Sequence, residues 1–169
     1  MELFRGDPKP ISIEDFDPEY GTRHLLKDLG SSLSEGPGIY FTTQEEDAKL
    51  YGSNITRKTL QDANILTKES PRFNYRQIEK ILQGVGKEAM ELATSNWDEN
   101  PNVGKRMLME SIMSADNPVD QLIVIWSNVF YHQNPAKFME LMTRNGIDGI
   151  AKHKEDATYY AIYNRGVLK

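Results

Sequence analysis

An α+β fold follows from three observations on the sequence. Both ends are rich in short β-forming runs punctuated by Gly, Pro and Thr, whereas residues 72–145 turn to helix formers with apolar side chains at helical spacing. The chain has 169 residues, enough for one domain with a real core. Strands at the two ends and helices between them, rather than strict alternation, predict terminal strands paired in a common sheet with the helices packed beside it. Residues 1–71 and 146–169 are the expected β framework, and 72–145 the helical insertion.

The elements are read in order. Leu3-Phe4-Arg5 opens a strand directly at the terminus. Residues 7–37 hold Asp7-Pro8, Pro10, Asp17-Pro18, Gly21 and Gly36-Pro37, which predicts a long shaped loop with a helical turn near Arg23 to Leu29. Ile39-Tyr40-Phe41-Thr42 is a strand after a Gly-Pro-Gly turn. Gln44 to Tyr51 is a short helix with Thr43 as N-cap, and Glu45, Glu46 and Asp47 lie at the positive end of its dipole. Ile55 to Leu66 is one bent strand, or a strand with a turn at Gln61-Asp62. Arg76 to Thr94 is helical with an interruption at Gly84 and Gly86. Val103 to Met113 is a second helix, and Pro118 starts a third that is apolar on nearly every face. Pro135 to Arg144 is a fourth, stopped by Asn145-Gly146. Ile147 to Ala151 and Thr158 to Tyr163 are strands on either side of a charged loop, His153 to Asp156, and Asn164-Arg165-Gly166 is a turn.

Composition excludes several classes. Lys plus Arg number 20 and Asp plus Glu 25, for a net charge of −5, which argues against a general nucleic-acid coat. Cysteine is absent, so a disulfide framework, thiolate metal sites and a cysteine nucleophile are excluded. The first residues lack the apolar core of a signal peptide. The longest apolar run, Leu122 to Trp126, is far too short to span a membrane. A soluble, cytoplasmic protein is expected. His24 and His132 fit no metal-ligand spacing, and neither a His-Glu-x-x-His element nor a phosphate-binding loop is present. Met107, Met109, Met113, Met139 and Met142 are core packing or an adaptable contact surface, with core the stronger reading.

The most informative local pattern is Gly36-Pro37-Gly38-Ile39-Tyr40-Phe41-Thr42 followed by a short helix that ends at Tyr51, eleven residues after Tyr40. A strand that folds back into a helix brings two such rings to face each other across a slot. Two parallel rings sandwich a flat aromatic ligand, and a cationic ring gains further from the tyrosine faces.

Leu3-Phe4-Arg5-Gly6, Gly38-Ile39-Tyr40-Phe41-Thr42 and Ala48-Lys49-Leu50-Tyr51 together resemble the signature of the ADP-ribosyltransferases, in particular the diphtheria-toxin and poly(ADP-ribose) polymerase branch. Asn145-Gly146-Ile147-Asp148-Gly149-Ile150 and the closing Tyr159-Tyr160-Ala161-Ile162-Tyr163 are similar to the ends of phage and bacterial members, which include ADP-ribosylating anti-CRISPR proteins. The resemblance covers about 40 residues and leaves 72–145 outside it. It implies an ADP-ribosyltransferase-like split β-sandwich around a cleft for NAD, used as a co-substrate.

The same resemblance implies roles. Arg5 takes the place of the family's first-motif His or Arg on the NAD ribose and phosphate side. Gly6 lends its backbone to the nicotinamide carboxamide, Tyr40 and Tyr51 stack on the nicotinamide, and Thr42 hydrogen-bonds nearby. The family's strand Glu falls at Tyr159, so Glu155 and Asp156, just before it, are the candidate catalytic carboxylates. Members without that Glu generally cannot build polymers. Single ADP-ribose transfer to a protein acceptor, by a phage or bacterial effector that disables a host protein, is therefore the expected activity. The alternatives are a catalytically inactive binding or inhibitor protein of the same fold, ADP-ribosylation of nucleic acid, and NAD hydrolysis by a toxin. The charge of −5 and the acidic run Gln44-Glu45-Glu46-Asp47 weigh against nucleic acid.

Overall fold

A computed structural model describes residues 1–19 and 36–169; the helical turn expected near Arg23 to Leu29, and His24, lie outside the described residues. The chain is α+β. Six strands form one sheet: β1 (Glu2–Asp7), β2 (Ile39–Thr42), β3 (Asn54–Thr59), β4 (Ile65–Leu66), β5 (Gly149–Lys154) and β6 (Ala157–Ile162), in the order β3-β1-β2-β6-β5-β4. The helices are α1 (Glu45–Lys49), α2 (Tyr75–Gln83), α3 (Lys87–Ser95), α4 (Pro101–Ser114), α5 (Pro118–Asn128) and α6 (Pro135–Arg144). The first lies between strands of the framework, and the other five form the block expected between residues 72 and 145.

The described strands hydrogen-bond into one sheet, as the pairing of the terminal strands predicts and unlike the two sheets of a split sandwich that the resemblance implies, because β2 pairs on one side with β1 and on the other with β6. Its two halves are nevertheless weakly joined. β1 matches β3 at every position from Glu2–Thr59 to Asp7–Asn54, and β6 matches β5 along its whole length. Between β1 and β2 only Phe4 and Thr42 are paired. Beyond that point the two strands part, toward Asp7 on one side and Ile39 on the other.

Strand alternation assigns the two faces. Phe4, Thr42, Tyr159 and Lys152 share one face through successive register pairs, and Gly6, Tyr40, Ala161 and Ile150 lie on the same face. Leu3, Arg5, Asp7, Ile39, Phe41, Tyr160 and Ile162 lie on the other. On that second face the apolar side chains are buried in one cluster with Ile13 and Phe16. Arg165 pins this segment by donating to the carbonyls of Glu14 (2.6 Å) and Phe16 (2.5 Å).

The helical block follows the caps in the sequence. Asn74 and Gln77 form a reciprocal capping box at the start of α2, and Asn100 and Asn117 cap α4 and α5, each just before a proline. Gly86, at φ 98°, separates α2 from α3. Gln121 is fully buried and bridges the backbone of Phe73, accepting from its N–H at 2.9 Å and donating to its carbonyl at 3.0 Å. This bond ties the segment leaving β4 to the central helix α5. Trp126, Phe130, Phe138 and Tyr163 pack ring to ring at 5.3 to 6.0 Å and join α5 and α6 to the end of β6. Met109, Met139 and Met142 are buried, so these three methionines are core.

Two local expectations are corrected. Thr43 is not the cap of α1. Its Oγ1 accepts from the Thr158 N–H at 3.0 Å and ties β2 to β6, while Gln44 occupies the cap position without a side-chain bond. His153 and Lys154 are strand rather than loop, since β5 and β6 stay in register to Lys154–Ala157 and only Glu155-Asp156 form the turn. Of the two readings of Ile55 to Leu66, the structure has the one with a turn at Gln61-Asp62: β3 and β4 are separated there, and Asp62 takes φ +48°.

Candidate functional site

The site is built where β1 and β2 part. Helix α1 lies over β1 on the face of Gly6 and Tyr40. A Cβ on Gly6 would stand 1.8 Å from the Ala48 carbonyl oxygen, and one on Gly52 2.1 Å from the Asp7 carbonyl carbon. Two glycines therefore let the short helix and its exit touch the strand backbone directly. Gly38 permits a similar approach on the other side, where a Cβ would meet that of Ala161 at 2.8 Å.

Tyr40, partly buried, faces the same side as Gly6, and its hydroxyl donates to the Gly36 carbonyl, folding the Gly-Pro-Gly loop against the ring. Tyr51 closes the turn after α1 and is 52% exposed. Thr42 is buried on this face, and its Oγ1 accepts from the Gln44 N–H at 3.2 Å. Gly6, Tyr40 and Thr42 thus share a face, and α1, which leads to Tyr51, lies over Gly6.

Arg5 leaves β1 on the opposite face. Its guanidinium grips Asp7 through two bonds, Nε to Oδ2 at 2.9 Å and Nη2 to Oδ1 at 2.6 Å, and lies 4.7 Å from the Phe16 ring centre. Nη1 donates at 3.3 Å to the Tyr40 carbonyl. The side chain therefore spans the gap between β1 and β2 where backbone pairing has stopped. Its charge is balanced by a carboxylate that is itself buried.

Glu155 and Asp156 are exposed at the tip of the β5–β6 hairpin, Glu155 at φ +54°. Asp156 lies three residues before Tyr159, about 10 Å along an extended strand. Its carbonyl accepts from Gln44 Nε2 at 3.1 Å, which holds the tip against the start of α1.

Sequence reasoning missed Asp47. It reads there as one of three acids at a helix start. In the structure its Oδ2 accepts from the Tyr159 hydroxyl at 2.9 Å, on the site face. That bond, with burial as a second cause, pushes the Tyr159 phenol up to about 12. Tyr51 and Glu155 lie close enough to add to the shift. The only signal in the sequence was spacing: Tyr51 follows Asp47 by four residues, one helical turn.

Beside Tyr159, a recess of about 180 Å³ opens between the sheet and the start of α5, lined by Ile150, Lys152, Tyr159, Ala161, Val119 and Ile123 among others. Its volume suits a single ring or side chain, below the ~300 Å³ at which drug-sized ligand sites begin. Among the described residues no group of three or more His, Asp or Glu could hold a metal ion, and no helix is long and apolar enough to cross a membrane. Comparison with family models, with curated proteins and with solved structures finds no match to this chain.

Proposed function

We propose that the chain is an NAD-dependent mono-ADP-ribosyltransferase of the split-sheet kind, acting on a protein acceptor. One observation carries the reading: pairing between β1 and β2 stops after a single pair, and beside it Gly6 and Tyr40 share a face over which lies α1, the helix that leads to Tyr51. The backbone at Gly6 then meets the carboxamide, and the two tyrosines take the two sides of the nicotinamide ring. The ring is cationic in NAD, which favours tyrosine faces. Arg5 lies on the opposite face, and instead of the NAD contact that the resemblance implies we give it a positioning part: it bridges β1 and β2 by way of Asp7 and the Tyr40 carbonyl. Helices α2 to α6 supply a surface beyond what the framework needs, and we assign acceptor recognition to it. A phage or bacterial effector directed at a host protein is the setting that fits a small chain of this kind.

In the reaction the C1′–N bond of the nicotinamide riboside breaks and its electron pair leaves on neutral nicotinamide. Positive charge develops on C1′ and the ring oxygen while an acceptor lone pair forms the new bond. A nearby carboxylate lowers the energy of that cation.

A second reading has its own observation. Tyr159 stands where the resemblance expects a glutamate, which fits a protein that binds NAD or a partner without transfer. Labelled NAD incubated with the protein and a cell lysate separates the two. Transfer labels a protein band and releases equimolar nicotinamide, and both are lost in Tyr40→Ala. Nicotinamide release without a labelled macromolecule identifies a hydrolase, and label on nucleic acid moves the acceptor class. NAD binding without consumption supports the inactive reading.

A further inference from the structure

The proposed reaction needs a carboxylate facing the ribose, and the two acids nearest in sequence are at the hairpin tip. Asp47 is placed differently. It projects from α1, which Gly6 and Gly52 seat directly on β1, and one of its oxygens is held at 2.9 Å by the hydroxyl of Tyr159. Tyr159 occupies the strand position from which the resemblance expects the charge to project. A tyrosine is longer than a glutamate, so the pair carries the charge outward from β6 to the side of α1. Tyr51 follows the end of α1 by two residues and lies close enough to Tyr159 to bear on its titration, so it stands beside the Asp47–Tyr159 pair.

We propose that Asp47, held by Tyr159, is the catalytic carboxylate of this site, in place of Glu155 and Asp156. The assignment rests on the NAD reading given above. Tyr159 is a positioning residue: its phenol keeps its proton throughout the ordinary pH range and fixes Oδ2. Among the described residues Oδ1 of Asp47 takes no hydrogen bond, which leaves it to face substrate. As the C1′–N bond breaks and its electron pair departs on nicotinamide, the carboxylate faces the developing cation. As the acceptor atom bonds to C1′, its proton passes to Asp47 and from there to solvent.

The test uses the full chain with NAD, reading binding by calorimetry and turnover by nicotinamide release in the presence of lysate. Asp47→Asn keeps the shape and is expected to lose turnover at least a hundredfold with Kd for NAD within threefold of wild type. Tyr159→Phe is expected to lower kcat about tenfold with little change in KM, because it frees the carboxylate without removing it. Glu155→Ala and Asp156→Ala are expected to stay within threefold. Turnover retained in Asp47→Asn, or lost in Asp156→Ala with Asp47→Asn unaffected, overturns the assignment and leaves the NAD reading standing. A wild type that binds NAD without consuming it overturns the assignment together with the transferase reading and leaves NAD binding standing. A wild type that does not bind NAD overturns the underlying reading and this assignment with it.

Discussion

Replacing Gly6 by alanine separates two reasons for a glycine at that position. If the residue only leaves space for a ligand, Gly6→Ala is harmless to the unliganded fold. The structure gives it a second duty. The new Cβ would stand 1.8 Å from the Ala48 carbonyl oxygen, 2.7 Å from the Ala48 carbonyl carbon and 3.0 Å from the Gly52 carbonyl oxygen, all backbone atoms. The first gap has to open beyond 3.0 Å, so α1 must lift from β1. Overpacking of this kind costs about 1–3 kcal/mol. Lifting α1 also strains the hydrogen bond from Tyr159 to the Asp47 carboxylate, worth about 1.5–3 kcal/mol as a bond to a charged group. The sum is about 2.5–6 kcal/mol, a large fraction of the ~5–15 kcal/mol that stabilises a domain. For a chain of this size it lowers Tm by roughly 5–24 °C. The assay is urea and thermal unfolding without ligand. Gly146→Ala is the control, since its Cβ meets nothing within 4 Å and only its φ of +75° opposes the change, at about 1–2 kcal/mol. A Gly6→Ala protein as stable as that control would refute the argument that α1 is seated on β1 through this glycine.

Three further outcomes are expected. Arg5→Gln strands the buried Asp7 carboxylate and should cost about 3–5 kcal/mol in urea unfolding, with Arg5→Gln/Asp7→Asn less destabilised than the two single changes added together. Gln121→Ala leaves the N–H and carbonyl of Phe73 without their buried partner and should cost about 2–4 kcal/mol, loosening the helical block at its attachment. Tyr159 titrates near 12 when folded against an ordinary value of 10, so its contribution is fully present below pH 10 and is lost as pH rises from 10 through 12. Stability of the wild type minus that of Tyr159→Phe, from melts across this window, should shrink with rising pH; a constant difference would mean that the Asp47 bond does not form.

Much of the framework was legible because local signals agreed. Pro118 and Pro135 stand at first turns, and Asn145-Gly146 ends α6 where Gly146 takes φ +75°, whereas the caps Asn74, Asn100 and Asn117 come from the structure. The β-rich runs at Ile39 to Thr42 and Thr158 to Tyr163 became adjacent strands. Signals that depend on partners were not legible. Thr43 looks like a cap in isolation, but the Thr158 N–H from a strand 115 residues away takes its hydroxyl. The single pair joining β1 and β2 has no local cause, because register across a sheet depends on both edges of each strand. Site residues divide the same way. Type and spacing single out Tyr40 and Tyr51, and the resemblance adds Gly6, which alternation sets on the same face as Tyr40. The Arg5–Asp7 grip follows from strand alternation, which puts both on one face, but its seat on Phe16 joins distant segments. Asp47 was hidden among acids that a helix start already explains, until Tyr159 was brought to it across the fold.

The central claim is that the split between β1 and β2 receives the nicotinamide end of NAD between Tyr40 and Tyr51. Calorimetric titration of NAD into the wild type, Tyr40→Ala and Tyr51→Ala tests it most directly. Stacking on one aromatic ring is worth about 1–3 kcal/mol, so each variant should bind roughly 5- to 150-fold more weakly than the wild type. Equal affinity in all three proteins, or a wild type that does not bind NAD, would contradict the account.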